Sequence, residues 1–340
     1  MKLGHQTWVF PSKPVILSSA AIGGPLEAQG PLADDFDTLH GDMMLGQSSW
    51  EKAEKTLLEE CCDKAIEKAG LTKEQIDYFL CGDLMNQIVS SSFTARTLQT
   101  PFLGLFGACS TSMEGLALAS LIVDSQSADY VLAATSSHNS SAEKQYRYPT
   151  EYGAQKPPTA QWTATASGAA VVGREGTGLR VTSATIGRVV DMGLTDPFNM
   201  GAAMAPAAFH TIESHFRDLQ ISPTAYDLVV TGDLGRVGHS ILSELFQQHQ
   251  IEIPPEQYKD CGMMIYGENP NVWSGGSGCG CCASVTYGHL LNRMKRGEWK
   301  RILVVATGAL LSPLTFQQDE SIPCIAHAVS IEAESEEGVQ

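Results

Sequence analysis

The chain has 340 residues, 43% of them hydrophobic, which is enough for one large α/β unit or two fused domains with a substantial core. Its 38 acidic and 22 basic residues give a formal net charge of −16, which argues against nucleic acid or an anionic lipid surface as the main partner. The start lacks a basic segment followed by a long apolar run, and no apolar run approaches the roughly 18 residues that span a bilayer, so we expect a soluble protein made in the cytoplasm.

Strand-like and helix-like patterns alternate through the first half of the chain. Short apolar runs indicate buried strands, and apolar residues at intervals of three and four indicate helices. In order, we predict a strand at 14–20, a helix at 51–68, a strand at 76–81, a helix at 113–123, a strand at 130–134, and neighbouring strands at 167–173 and 179–186.

Cys109 lies in a short polar turn, residues 107–112, between the apolar run 101–106 and the helix predicted at 113–123. A cysteine at a helix entry faces unpaired N–H groups and the positive end of the helix dipole, which favours the thiolate. That is the setting of an acyl-accepting nucleophile. The alternative is that Cys109 is one more small buried hydrophobe among nine cysteines.

The nine cysteines are odd in number and scattered, which predicts reduced thiols in a reducing compartment. Cys279, Cys281 and Cys282 lie close together, but no paired C-x-x-C clusters or H-x-x-x-H partner accompany them. We therefore predict no metal site and no cofactor.

Residues 136–162 form a long polar and aromatic stretch inside an otherwise apolar α/β pattern. We predict a loop here from this composition. Long loops in compact domains are commonly functional or interfacial, so we expect such a role for it. Arg147 and Trp162 are its candidate ligand-binding side chains, which would cover a pocket mouth or meet carboxylates. The alternative is a dimer interface, since aromatic residues and arginine are enriched at interfaces.

The second half of the chain resembles the first. The runs 71–84 and 221–234 match at an offset of 150 residues, and the runs 129–135 and 301–307 match at an offset of 172. Two strands and a helix entry rich in Gly and Cys recur in the same order, which indicates internal duplication. The elements predicted in this half are a helix at 211–219, a strand at 228–231, a helix at 240–248 and a strand at 301–307.

By the second offset, Cys281 is the counterpart of Cys109. Two copies of a β-α-β unit predict two sheets with helices outside and helices packed between them. We assign residues 1–180 to an N-terminal half with the cysteine turn and a cap loop, and residues 181–340 to a C-terminal half.

This duplicated α/β pattern, with a cysteine at a helix entry, resembles the thiolase fold shared by thiolases and β-ketoacyl synthases. The resemblance covers nearly the whole chain: the turn at 107–110, the strand after the cap at 165–172, and a last active-site loop and final strand at 322–329. It implies an α/β thiolase-like fold with five layers, α-β-α-β-α, and a homodimer.

Condensing enzymes of this fold use the cysteine together with a histidine and a second histidine or an asparagine. At the position of the first partner, this chain has Asp233; in the Gly-rich turn of the second, it has Ser277 and Gly278. An anionic carboxylate opposes an oxyanion and raises the pKa of a neighbouring thiol. The resemblance therefore implies a pocket that binds a ligand without catalysing condensation.

Four histidines are candidates to replace the missing partners. His138 follows the strand at 130–134 and His327 lies in the last active-site loop, so we predict that both line the pocket. His289 falls within a helix pattern and His239 near the start of one, so we predict packed or surface roles for them.

Within the superfamily, the segments 4–8, 107–113 and 273–282 look like a family of sporulation proteins from endospore-forming bacteria. That resemblance implies binding of dipicolinic acid, as the free acid or its calcium chelate, for uptake into the developing spore. It implies the other proteins of the spore dipicolinate channel as partners, and a peripheral position at the spore inner membrane.

Two other functions stay open at this level. One is an acyltransferase or condensing enzyme that uses Cys109 with His138 or His327 as an unconventional base, although no basic run suits the phosphates of coenzyme A. The other is a scaffold that only assembles a membrane complex. Acyl labelling of Cys109 would distinguish the first, and normal spore dipicolinate after blocking the pocket would distinguish the second.

Overall fold

A computed structural model describes residues 1–146 and 156–334. The strands are β1 (Lys2–Leu3), β2 (Thr7–Val9), β3 (Val15–Gly23), β4 (Thr38–Leu39), β5 (Tyr78–Gly82), β6 (Phe102–Gly104), β7 (Tyr130–Ser137), β8 (Trp162–Thr163), β9 (Ala166–Gly173), β10 (Leu179–Thr185), β11 (Leu228–Thr231), β12 (Tyr258–Asp260), β13 (Gly276–Ser277), β14 (Arg301–Ala309) and β15 (Cys324–Glu332). The helices are α1 (Trp50–Lys68), α2 (Val89–Leu98), α3 (Thr111–Asp124), α4 (Asn139–Tyr146), α5 (Met200–Leu219), α6 (Gly235–Gln248), α7 (Cys261–Tyr266), α8 (Cys279–Ser284), α9 (Leu291–Lys295) and α10 (Pro313–Gln317).

The strand order repeats between the two halves of the chain. From the centre outward, one set runs β3-β9-β7-β5-β6 and the other runs β10-β15-β14-β11-β12. In each set the first two pairings are antiparallel and the last two are parallel. The sets join where β3 and β10 pair antiparallel over two residues. This repeat is the internal duplication predicted from the sequence.

The helices form three layers around the two sets of strands. Helix α3 lies between the sets, packing on β7 and β9 on one side and on β14 and β15 on the other, and α8 lies beside it. Helices α1 and α2 cover the outside of the first set, while α5 covers the second and packs on α6. The five-layer α-β-α-β-α arrangement is therefore confirmed.

The central helices are apolar almost all round because both of their faces are covered. Met113, Leu116 and Val123 of α3 are fully buried, as are Cys281 and Ala283 of α8. A helix buried between two sheets needs such a composition, whereas an outer helix such as α1 needs only one apolar stripe. Helix α1 follows an N-cap residue, Ser49, whose side chain accepts a hydrogen bond from the Lys52 N–H.

Most predicted elements are present with shifted ends, and the structure differs from three of the predictions. The stretch 136–162 is predicted as a loop, but its described residues include the end of β7, helix α4 and the first residue of β8. The strands predicted at 167–173 and 179–186 are not neighbours, because β3 pairs between β9 and β10. Helix α6 starts at Gly235, so His239 lies inside it rather than at its start.

Candidate ligand-binding site at the Cys109 turn

The Cys109 turn is held by its own hydroxyl groups. Ser110 Oγ donates to the Gly107 carbonyl at 2.6 Å, and the Gly107 N–H donates to Thr111 Oγ1 at 3.1 Å. Ala108 has a φ of 50°, a left-handed conformation that reverses the chain just before Cys109. Gly308 of β14 fits against this turn, because a Cβ there would lie 2.3 Å from the Gly107 carbonyl oxygen. The turn is thus clamped between both halves.

Asp233 follows β11 and reaches the same point from the second half. Its Oδ1 accepts from Thr307 Oγ1 at 2.7 Å, and its Oδ2 accepts from Ser277 Oγ at 3.1 Å and from the Gly278 N–H at 2.9 Å. The Cys109 thiol also donates to this carboxylate. Four predicted site residues, Cys109, Asp233, Ser277 and Gly278, therefore lie together.

Burial dominates the electrostatics of this cluster. It raises the pKa of Asp233 from 3.8 to about 6, against the lowering effect of the hydrogen bonds from Thr307, Gly278 and Cys109. Burial first, and then the Asp233 charge, raise the pKa of the Cys109 thiol well above its ordinary value. The helix entry was expected to favour the thiolate; desolvation and a neighbouring carboxylate outweigh the helix dipole, and Cys109 is a protonated thiol.

A pocket lies against Cys109; its interior volume is about 40 Å³, and its empty space is about 450 Å³ when the open mouth is included. Its walls are largely apolar, with hydroxyl groups and one carboxyl group among them. The described residues that line it are Leu84, Ala108, Cys109, Ala142, Glu143, Tyr146, Thr163, Met200, Ser277, Ala309 and Leu311. Asp233 and Gly278 support this lining from behind rather than forming part of it.

Glu143 is the acidic group of the lining, and it is neutralised by a neighbour. Its Oε1 lies 3.1 Å from the Lys156 Nζ, and both side chains are largely buried. The Lys156 ammonium also lies 5.5 Å from the ring centre of Trp162 and 5.3 Å from that of Trp273. Trp162 is thus placed beside the mouth, next to the lining residue Thr163, whereas Arg147 lies outside the described residues.

The structure places His138 outside the pocket lining. It follows β7 as predicted, but its side chain turns toward α1 and is fully buried, with its ring 5.6 Å from that of Trp50. Nδ1 accepts from the Ser140 N–H at 3.1 Å, so Nε2 carries the proton and donates to the Met43 carbonyl at 2.8 Å. Burial lowers the pKa of His138, which keeps the ring neutral.

His327 also lies outside the lining. It is on β15, which pairs with β14, the strand whose last residue lines the pocket. Its Nδ1 accepts from the Gly187 N–H at 3.3 Å, and burial lowers its pKa to about 4. His239 stacks on Tyr258 with ring centres 4.1 Å apart, and His289 Nδ1 lies 2.5 Å from Asp35 Oδ2. These last two have the packed roles predicted for them.

Several wall residues could not be identified from sequence motifs. Leu84 ends the run 71–84 and Tyr146 lies in the stretch 136–162, but no motif marks either as a site residue. Met200 is the first residue of α5, and Leu311 lies just before α10. Both are far from Cys109 in the sequence. Only the tertiary fold brings them to the pocket, so no local pattern marks them.

Neither a membrane-spanning helix nor a metal-binding cluster occurs in the part of the chain that the structure describes. Over residues 1–146 and 156–334, no helix has both the length and the apolar composition needed to cross a membrane. The same residues contain no group of three or more His, Cys, Asp or Glu side chains placed to hold a metal ion.

Solved structures that resemble this one are enzymes of low sequence identity. The 3-oxoacyl-[acyl-carrier-protein] synthase III of Aquifex aeolicus VF5 is 14% identical, with a TM-score of 0.59 over 94% of this chain and 99% of that one. A human mitochondrial 3-ketoacyl-CoA thiolase, solved with CoA, is 12% identical, with a TM-score of 0.60 over 98% of this chain and 100% of that one. These similarities establish the thiolase-like fold.

Sequence comparison narrows the assignment within that fold. The family described as stage V sporulation protein AD (SpoVAD) matches residues 4–332. The stage V sporulation protein AD of Bacillus subtilis (strain 168) is 50% identical over 333 residues, which cover 98% of each chain. With a thiolase-like fold and a match over almost its entire length, this chain belongs to the stage V sporulation protein AD family and has a role in sporulation.

Proposed function

We propose that this protein binds dipicolinic acid, free or as its calcium chelate, in the Cys109 pocket and does not catalyse a reaction on it. In this proposal the protein serves dipicolinate uptake into the developing spore. It acts with the other proteins of the spore dipicolinate channel and lies peripherally at the spore inner membrane through integral partners. The observation that carries the proposal is a pocket at the nucleophile turn whose cysteine is a protonated thiol beside a buried carboxylate.

The pocket lining suits a flat aromatic ring that carries polar groups. Leu84, Ala142 and Leu311 offer apolar surface, while Thr163 and Ser277 offer hydroxyl groups. Glu143 is unfavourable for a dianion, but Lys156 at 3.1 Å offsets its charge. A calcium ion that arrives with the ligand would offset it further.

The electrostatics of the cluster support a non-catalytic role. Condensation needs a thiolate nucleophile and donors aimed at a developing oxyanion. Asp233 instead raises the pKa of Cys109 and, when ionised, would repel the oxyanion. Of the described lining residues, none is a histidine or an asparagine. We infer that the scaffold retains the pocket of its enzyme relatives and not their reaction.

Calorimetric titration of the purified protein with dipicolinate, with and without calcium, tests the proposal. We expect saturable binding that Cys109→Ala weakens roughly tenfold, since the sulfur forms part of the wall. Leu311→Trp, which fills the pocket without changing charge, should abolish binding. Cys62→Ala is the matched control, because Cys62 is a buried residue of α1 and lies away from the lining. No heat with either form of the ligand would sink the binding proposal.

Labelling with acyl-coenzyme A separates binding from catalysis. The non-catalytic proposal predicts no stable acyl adduct on Cys109 by intact-mass measurement. An adduct that disappears in Cys109→Ala, and not in Cys62→Ala, would instead favour an acyltransferase.

We further propose a homodimer formed through the edge strand β6. Within the described residues, no other strand pairs with its outer edge. Three large apolar side chains nearby are about half exposed: Phe93, Leu103 and Phe106. A second copy related by a two-fold axis would pair its own β6 with this edge and cover these side chains. Light scattering should give a dimer mass for the wild type and a monomer for Leu103→Lys; a wild-type monomer would reject the proposal.

A further inference from the structure

The most basic short segment of this acidic chain lies in the turn between α9 and β14. Residues 295–301 read Lys-Arg-Gly-Glu-Trp-Lys-Arg, with four basic residues and one acidic residue, whereas the whole chain has a net charge of −16. The tryptophan at the centre of this basic run, Trp299, is half-buried. A tryptophan flanked by lysine and arginine is typical of segments that contact a membrane interface.

This segment borders an open groove of about 970 Å³. The floor of the groove is apolar and includes Leu179 and Met294, which are buried, together with Trp299. Lys295 and Lys300 stand on its rim and are exposed. An apolar floor under a cationic rim matches a phospholipid, whose anionic headgroup adjoins apolar glycerol and acyl groups.

Acidic side chains at the groove neutralise some of its cations but leave others available. Arg301 lies 2.9 Å from Glu332, and Arg180 pairs with Glu334. Other pairs at this end of the fold are Lys13 with Glu332, Arg293 with Glu298, and Arg296 with Asp35 at 4.0 Å. Among the described residues, Lys295 and Lys300 have no carboxylate within ion-pair distance. Their charges are therefore available to an external anion.

The groove and the ligand pocket lie at opposite ends of the same strand. Arg301 opens β14 and borders the groove, whereas Ala309 ends β14 and lines the pocket. Eight residue steps of extended strand separate them by about 26 Å. A membrane that covers the groove would leave the pocket mouth facing the aqueous side.

We propose that segment 295–301 and its groove bind anionic phospholipid headgroups, so that the protein contacts the membrane surface directly with its pocket turned away from the bilayer. The inference rests on the proposed function only in placing the protein at a membrane. It adds a local lipid contact to the attachment through integral partners, which stays the main attachment because the net charge of −16 opposes binding of the whole chain to an anionic surface.

The test is sedimentation of the full-length protein with lipid vesicles. We expect binding to vesicles of phosphatidylcholine and phosphatidylglycerol in equal parts, and none to phosphatidylcholine alone. Binding should disappear near 1 M salt, where the Debye length falls to about 3 Å. The triple variant Lys295→Gln, Arg296→Gln, Lys300→Gln should lose roughly 100-fold in partitioning, since each basic residue at an anionic surface contributes about fivefold.

The matched control removes the same charge elsewhere, as Lys52→Gln, Lys64→Gln, Arg236→Gln, and should bind vesicles like the wild type. Equal losses in the two triple variants would show a general charge effect and overturn the inference. Unchanged vesicle binding by the groove variant would also overturn it. So would a wild-type protein that binds no vesicles, and an acidic protein surface would then become the candidate partner. The wild-type protein is titrated with dipicolinate in parallel. If it binds dipicolinate but not anionic vesicles, the lipid contact alone is rejected; if it binds anionic vesicles but not dipicolinate, the proposed function alone is rejected.

Discussion

Asp83 and Asp233 occupy equivalent positions in the two halves, each in a Gly-Asp-Leu tripeptide after a parallel strand, yet their carboxylates bind different parts of the molecule. Asp83 accepts from the Met85 N–H at 2.9 Å, the Ser91 N–H at 2.8 Å and Ser91 Oγ at 2.7 Å. All three donors lie within the next eight residues, so Asp83 closes its own loop. Asp233 instead takes donors from three distant segments.

The difference shows that duplication preserves a local motif but not its surroundings. Both carboxyl groups are fully buried, and burial raises the pKa of each. Asp233 interacts with the Cys109 thiol, because the α3 entry carrying Cys109 faces the second half. Asp83 instead lies near the Cys81 thiol, whose pKa its charge helps to raise, and near another carboxyl group, that of Glu54. The following leucines differ as well: Leu84 lines the pocket and Leu234 is in the core.

The largest expected effect on the free energy of unfolding comes from substituting Gly278, whose N–H donates to Asp233. Gly278 has a φ of 101°, and a Cβ there would lie 2.7 Å from Ser137 Oγ. Gly278→Ala combines backbone strain with overpacking, which together cost about 4 kcal/mol of unfolding free energy. Denaturant unfolding measures this. Gly41→Ala is the control, since its Cβ would meet no atom within 4 Å; equal effects of the two changes would contradict the argument.

The helix entries of the two halves show what sequence alone could predict. The offset of 172 pairs Cys109 with Cys281, but Cys279 is the residue that, like Cys109, follows a residue with positive φ at a helix entry. Cys279 is fully buried and its thiol donates to the Ser136 carbonyl at 2.9 Å. The motif was visible in the sequence. Which of its two copies opens into a pocket depends on contacts between the halves.

Other parts of the fold could be predicted to different degrees. Strands such as β7 and β14 have continuous apolar runs, so their positions follow from composition. Helix α4 was missed because it has no apolar stripe; its buried side chains include Ser141 and Glu143, and Ser141 Oγ donates to Glu54. The meeting of Cys109 with Asp233 followed from family motifs, but the orientation of His138 toward Met43 depends on packing that no motif records.

The second prediction uses the raised pKa of Asp233, about 6 in the folded protein against 3.8 ordinarily. Because the unfolded chain releases this proton first, the stabilising effect of the protonated group is complete below about pH 4 and is lost by about pH 6, a change of roughly 3 kcal/mol. Asp233→Asn removes this titration. The difference in unfolding free energy, wild type minus variant, should therefore fall as the pH rises through this window; parallel pH profiles would contradict the burial argument.

The third prediction concerns the reactivity of the Cys109 thiol. Asp233→Asn removes the negative charge that helps to raise its pKa, so a greater fraction becomes thiolate. Iodoacetamide alkylation of Cys109 at mildly alkaline pH, followed by peptide mass spectrometry, should become several-fold faster, because the thiolate is the reacting form. Asp83→Asn is the matched control and should leave the Cys109 rate unchanged. Similar acceleration by both variants would indicate general loosening of the fold.

The smallest expected effect is the difference in unfolding free energy between two serine substitutions, one at Ser277, which donates to Asp233, and one at Ser91, which donates to Asp83. Ser277 lines the pocket, where water can replace its hydroxyl, and Asp233 keeps its bonds from Thr307 and Gly278, so Ser277→Ala should cost about 1 kcal/mol. Ser91 is fully buried and its hydroxyl bonds Asp83 at 2.7 Å, so no solvent replaces it and Ser91→Ala should cost about 2 kcal/mol. Paired unfolding curves measure the difference. If Ser277→Ala proves the more costly, Asp233 depends on its pocket-side donor for stability, and the contrast between a closed loop and an open site would be reversed.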